Sequence, residues 1–70
     1  MPQKLRHFIA RILLDARKAR FKAKDQREYM YFQLKDRLIY FVTLLSDHDL
    51  TDQLEQKYLK LLDRCLKLNT

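Results

Sequence analysis

Ala23-Lys-Asp-Gln-Arg-Glu-Tyr-Met-Tyr-Phe-Gln-Leu34 is where the hydrophobic rhythm of this chain changes phase. Upstream, Leu5, Ile9, Ile12, Ala16, Ala19 and Ala23 alternate four and three residues apart, the stripe of an amphipathic helix held over three heptads. Continued unbroken, it would pass through Met30, Gln33 and Arg37, and there it fails. A new stripe starts one residue out of phase at Tyr31 and runs through Leu34, Leu38, Phe41 and Leu45. Asp25-Gln-Arg-Glu28 has the spacing of a capping box, in which Asp25 accepts from a freed backbone N–H and Glu28 reaches back. Phase slip and cap together place a break near Lys24 and Asp25. No Gly or Pro enforces it, so one long bent helix is the competing expectation.

The first helix is expected to open just after Pro2, whose fixed φ suits a first helical turn. A second break lies in Ser46-Asp-His-Asp-Leu-Thr-Asp52, rich in turn and cap formers, with Thr51 or Asp49 as the expected cap. Beyond it Leu54, Tyr58, Leu61, Cys65 and Leu68 form a third stripe. Asp52 and Glu55 near its start and Arg64 and Lys67 near its end have the polarity a helix dipole prefers. The sequence therefore predicts an all-α fold of three helices at about 3–24, 26–45 and 52–68, the last two an antiparallel hairpin across a short connection. Residues 1–70 read as a single helical domain whose N-terminal helix, within 1–27, is strongly basic.

Composition supports helices. The chain holds no glycine and one proline, so turns that need φ > 0 are hard to build and hairpins of strands are disfavoured. Seventy residues bury only roughly 60% of their unfolded surface, and Cys65 has no second cysteine to pair with. Tight helix packing or self-association must then supply stability. The longest apolar run, Leu38 to Leu45, is too short for a membrane span and is interrupted by Thr43. The lone cysteine and the lack of a signal-peptide pattern lead to the expectation of a cytoplasmic protein.

Charge is unevenly spread. Residues 1–27 carry nine basic side chains (Lys4, Arg6, Arg11, Arg17, Lys18, Arg20, Lys22, Lys24 and Arg27) against Asp15 and Asp25 alone. Residues 28–70 carry six Lys/Arg against seven Asp/Glu, so the first part of the chain holds all of the net +6. Such a field attracts anions, which makes these nine residues candidates for contact with the phosphates of nucleic acid at low sequence specificity.

More apolar surface is present than three helical stripes need. Leu14 and Phe21 stand seven apart on the side of helix 1 away from its core stripe, flanked by basic residues. Phe32 and Ile39 stand seven apart on the outer side of helix 2. Leu59, Leu62 and Leu66 widen the apolar arc of helix 3 to about half its circumference. Leu14, Phe21, Phe32 and Ile39 are the candidate contacts of a homodimer or of a protein partner, and Phe21 is also a candidate for stacking on an unpaired base.

Catalytic patterns are missing. Asp47-His48-Asp49 has metal-ligand residue types, but adjacent loop residues rarely converge on one ion, and a turn with a helix cap is the expected role. His7 reads as a surface histidine, Cys65 as a small core thiol without an activating His neighbour, and no Gly-rich phosphate loop can exist without glycine. The expectation is a non-enzymatic binding protein with no metal, cofactor or small-molecule substrate. Two functions compete: a regulatory factor whose basic helix engages nucleic acid, and an adaptor or inhibitor of an acidic or apolar-grooved protein, bound through helices 1 and 2.

Overall fold

The structure, a computed structural model, describes residues 2–68. It contains three α-helices, α1 (Gln3–Ala19), α2 (Lys24–Leu45) and α3 (Thr51–Cys65), with a turn of 3₁₀ helix (His48–Leu50) leading into α3. No strand occurs among the described residues. Each helix contacts both others, giving a rod of 36 × 18 × 16 Å.

The α1 stripe packs as its periodicity predicts. Leu5, Ile9, Ile12, Ala16 and Ala19 are buried against Leu34, Leu38 and Val42 of α2 and against Leu62 and Leu66 from the end of the third segment. Near the start of α1 the Phe8 ring lies almost parallel to Phe41, with centroids 4.1 Å apart. Farther along, Asp15 meets Arg37 at 3.6 Å, an exposed pair worth at most about 1 kcal/mol. Lengthwise, then, the first half of α1 lies beside the last part of α2. Two contacts relate α2 to the third segment of the chain. Thr43 Oγ1 donates to Glu55 at 3.4 Å near one end of the rod, and Arg27 reaches the backbone of Leu66 near the other.

The break between the first two helices is real, but its position and its chemistry differ from expectation. Helix 1 stops at Ala19 rather than continuing to about residue 24, and α2 begins at Lys24. Ala23, placed on the core stripe by periodicity, is exposed in the connection. Backbone bonds from Arg20 N to Arg17 O (3.3 Å) and Lys22 N to Ala19 O (3.0 Å) tighten the final turn of α1 and satisfy carbonyls that an ending helix frees. The capping box does not form. Ala23 occupies the N-cap position without a side-chain bond, and Asp25 Oδ1 accepts only from the adjacent Gln26 N–H at 2.9 Å. Asp25 still sits in the first turn, where a carboxylate favours the positive end of the helix.

Two further corrections concern α3. Leu50, not Thr51 or Asp49, is its N-cap; Thr51 instead donates to Asp47 O at 3.2 Å and bonds Ser46 Oγ at 2.9 Å, closing the loop on itself. The predicted stripe of Leu54, Tyr58, Leu61, Cys65 and Leu68 is only half-buried, whereas Leu62 and Leu66, assigned to its edge, are fully buried. An apolar arc half a circumference wide has no centre that spacing alone can find. Packing into the groove between two neighbours supplies one, along Leu62 and Leu66. The helix ends at Cys65 rather than 68: Lys67 N donates to Arg64 O and Leu68 N to Asp63 O, both at 3.1 Å. These are the two bonds of a Schellman motif, with Lys67 at φ 55° in the place glycine favours.

Candidate nucleic-acid interface

The nine basic residues do not share one helical face, because the helix that was to carry them ends early. Arg17 and Lys18 occupy the last turn of α1, Arg20 and Lys22 the corner after it, and Lys24 the first position of α2. All five are exposed. Lys4 and Arg6 lie at the opposite end of the rod, in the first turns of α1. Arg11 lies between, beside a shallow hollow bordered by Phe8, Asp36, Arg37 and Tyr40.

Arg27 has a different task. Its Nε donates to Lys22 O at 3.0 Å, and its Nη1 donates to Leu66 O at 2.7 Å and Lys67 O at 2.9 Å. The guanidinium thus ties the α1–α2 corner to the carbonyls left open where α3 stops. A side chain committed to three carbonyls is a structural tie rather than part of an anion-binding surface, and this corrects its place among the nine.

That tie has a consequence for charge. It brings Arg64 and Lys67, which belong to the near-neutral part of the sequence, to the basic corner. Counting residues 17–28 and 63–67 together, this end of the rod holds Arg17, Lys18, Arg20, Lys22, Lys24, Arg27, Arg64 and Lys67 against Asp25, Glu28 and Asp63. The other end sets Lys4, Arg6 and Lys57 against Asp47, Asp49, Asp52 and Glu55. Net charge is therefore polarised along the long axis. The C-termini of α1 and α3 and the N-terminus of α2 all meet at the basic end. Their partial charges, about −0.5 for each C-terminus and +0.5 for the N-terminus, offset only a fraction of eight cations.

At the apex of the corner stands Phe21, 80% exposed, with the Arg20 guanidinium carbon 4.7 Å from its ring centroid. Phe21 was expected on the outer face of helix 1; it lies instead in the connection, beyond the end of that helix. Beside it an open groove between α1 and α2 runs past Lys18, Lys22 and Arg37, with Asp15 and Asp36 also on its lining. The arrangement offers cations for phosphates and a solvent-facing π surface for a base. The remaining candidate contacts are dispersed. Leu14 is 49% exposed on the outer side of α1, Phe32 projects from the outer side of α2, and Ile39 is half-buried. Outer faces of two helices in a three-helix bundle point in different directions, so these residues do not make one surface with Phe21.

Burial raises the Tyr31 hydroxyl above its ordinary value of 10.0, and the carboxylate of Asp63 adds to the effect. Asp47, His48 and Asp49 are exposed around the 3₁₀ turn, and among the described residues no group of three or more His, Cys, Asp or Glu could hold a metal ion. Among the described residues, no helix is long and apolar enough to cross a membrane.

Comparison with protein-family models, with curated proteins and with solved structures finds no match. Any functional reading therefore rests on this chain's own residues.

Proposed function

We propose that this chain is a non-enzymatic binding protein that engages nucleic acid through the basic end of the rod, with low sequence specificity. The observation that carries the reading is the placing of Arg17, Lys18, Arg20, Lys22, Lys24 and Arg64 at the same end of the rod as the exposed ring of Phe21, with Arg20 against that ring. Phosphates take the lysines and arginines, and an unpaired base stacks on Phe21. A small regulatory factor acting in the cytoplasm fits this reading, since Cys65 stays a free thiol where the surroundings are reducing.

A second reading, an adaptor or inhibitor of an acidic or apolar-grooved protein, draws support from the exposure of Leu14 and Phe32. The two separate by salt. Anisotropy of labelled single-stranded RNA and DNA, titrated with the protein between about 50 and 200 mM salt, should give a log–log slope of about −0.7 per phosphate neutralised, or about −3 to −4 for five contacts. Charge reversal at Arg20 and Lys22 should remove most of the affinity. Absence of binding at the lowest salt, or binding indifferent to those reversals, would sink the nucleic-acid reading.

A further inference from the structure

The core of the bundle covers one side of α2, and the exposed side mixes large apolar residues with the polar Gln33, Asp36 and Thr43. Tyr29, Phe32, Tyr40 and Leu44 leave 65%, 60%, 62% and 60% of their surface in solvent. With Asp36 between them, they follow one another three or four residues apart, the spacing of a seam that meets another helix. Two of the rings are propped in place. Phe32 rests edge-on against Tyr31 with centroids 5.6 Å apart, and Tyr40 against Phe41 at 5.3 Å. A supported ring loses less rotamer freedom when it is covered. The molecule exposes 5312 Å², against about 4,700 Å² expected of a monomer of this mass, so it carries surplus surface.

We propose that a second copy of this chain covers the face, through an antiparallel two-fold pairing of α2 helices centred on Asp36. Axial charge selects both the occupant and its direction. A parallel pair would bring two strongly basic ends together, whereas the antiparallel pair sets the basic end of each copy beside the other's far end, where Asp47, Asp49, Asp52 and Glu55 outnumber Lys4, Arg6 and Lys57 by one. With Asp36 on the axis, Phe32 comes level with Tyr40 of the second copy and Tyr29 with Thr43. Lys24 comes level with His48, between Asp47 and Asp49. The two Asp36 carboxylates approach one another, and the adjoining Lys35 offsets part of that repulsion, Arg37 being paired with Asp15. The pairing leaves Phe21, Arg20 and Lys22 uncovered and shares only Lys24 with the proposed nucleic-acid surface.

Size sets the strength. Twenty-two residues of helix span about 33 Å, and a strip of that length buries roughly 800 Å² over both copies, below the usual size of a stable interface. The pair should therefore form at tens to hundreds of micromolar, about the range of weak, transient interfaces. The test is sedimentation equilibrium of the full chain from about 5 to 500 μM, with helicity followed by circular dichroism. The wild-type mass should approach twice the monomer's. The double variant Phe32→Glu/Tyr40→Glu should weaken association by at least about tenfold, while Leu14→Glu/Phe21→Glu should associate like wild type. Direction is read separately, in a Cys65→Ala background. Phe32→Cys chains mixed with Tyr40→Cys chains should cross-link to each other in preference to themselves. A monomer at every concentration overturns the proposal. So does a dimer that survives Phe32→Glu/Tyr40→Glu, and predominance of like-with-like cross-links overturns the antiparallel pairing.

Discussion

Arg27 Nη1 donates to the Leu66 carbonyl oxygen at 2.7 Å across 39 residues of chain. Together with the bonds to Lys67 O and Lys22 O, it closes the basic end of the bundle. Charge-assisted bonds to carbonyls are about twice as strong as neutral ones, and the planar fork of arginine reaches several acceptors at once. Arg27→Ala should lower unfolding free energy by about 1–3 kcal/mol in a urea titration, from a total of about 4–10 kcal/mol for a domain of this length. Arg27→Lys should recover little of the loss. A variant as stable as wild type would show the tie to be incidental.

The αL conformation of Lys67 predicts a backbone effect separable from its side chain. Glycine adopts φ near 55° without strain, whereas a β-carbon costs about 1–2 kcal/mol there. Lys67→Gly should therefore be more stable than Lys67→Ala by about 1 kcal/mol, even though glycine gains more freedom in the unfolded chain. Thermal melts of the two variants make the comparison, and equal midpoints would contradict the Schellman geometry.

The buried line of α3 is open to a direct contest between neighbouring leucines. Leu62 is fully buried and Leu61 only half-buried, although spacing alone puts Leu61 on the stripe. Leu62→Ala should cost about 2–5 kcal/mol, enough to leave much of the protein unfolded at 37 °C, and Leu61→Ala clearly less. The reverse order would mean that α3 is rotated from the position described.

Tyr31 ties stability to alkaline pH. Its folded pKa lies above its unfolded value, so the folded state holds the phenolic proton more tightly. That contribution is fully present below pH about 10 and is lost as pH rises through the folded pKa. The difference in stability between wild type and Tyr31→Phe should accordingly be constant from pH 6 to about 9 and shift against wild type above about 10. Paired denaturant titrations across that range measure it. A flat difference would show that the hydroxyl is not held in a desolvated setting.

The polarised charge makes the two ends of the rod unequal in the proposed binding. Arg64→Glu, at the basic end though far from it in sequence, should weaken oligonucleotide affinity by about tenfold or more at low salt. Lys4→Glu, in the basic third of the sequence but at the far end of the rod, should change it much less. Equal losses would mean that sequence neighbourhood, not position in the fold, governs the field.

The helical character of the chain and the existence of two breaks were legible because they rest on local chemistry. A phase slip between Ala23 and Tyr31 moves an apolar stripe to another face, and a straight helix cannot serve both. The inward face of α1 was legible for the same reason, since Leu5, Ile9, Ile12, Ala16 and Ala19 form a stripe with a single direction. What failed were ends and centres. The Asp25–Glu28 pattern suggests a cap, yet the chain turned earlier, after Ala19, where carbonyls could be taken by nearby N–H groups and by Arg27. Spacing could not centre the wide arc of α3, because apolar residues are spread across its full width and only the neighbours choose which lies deepest.

The candidate site divides in the same way. By itself the sequence determined that the protein is built of helices, carries a net charge of +6 and has apolar side chains beyond what its core stripes use. Only the tertiary structure decided where that charge lies: Lys4 and Arg6 go to one end, Arg64 and Lys67 join Arg17 through Lys24 at the other, and Arg27 is committed to carbonyl oxygens. The physical reason is range. Periodicity and caps act over one or two helical turns, while the field at a surface sums charges by distance in space, and only the packing of helices against one another sets those distances.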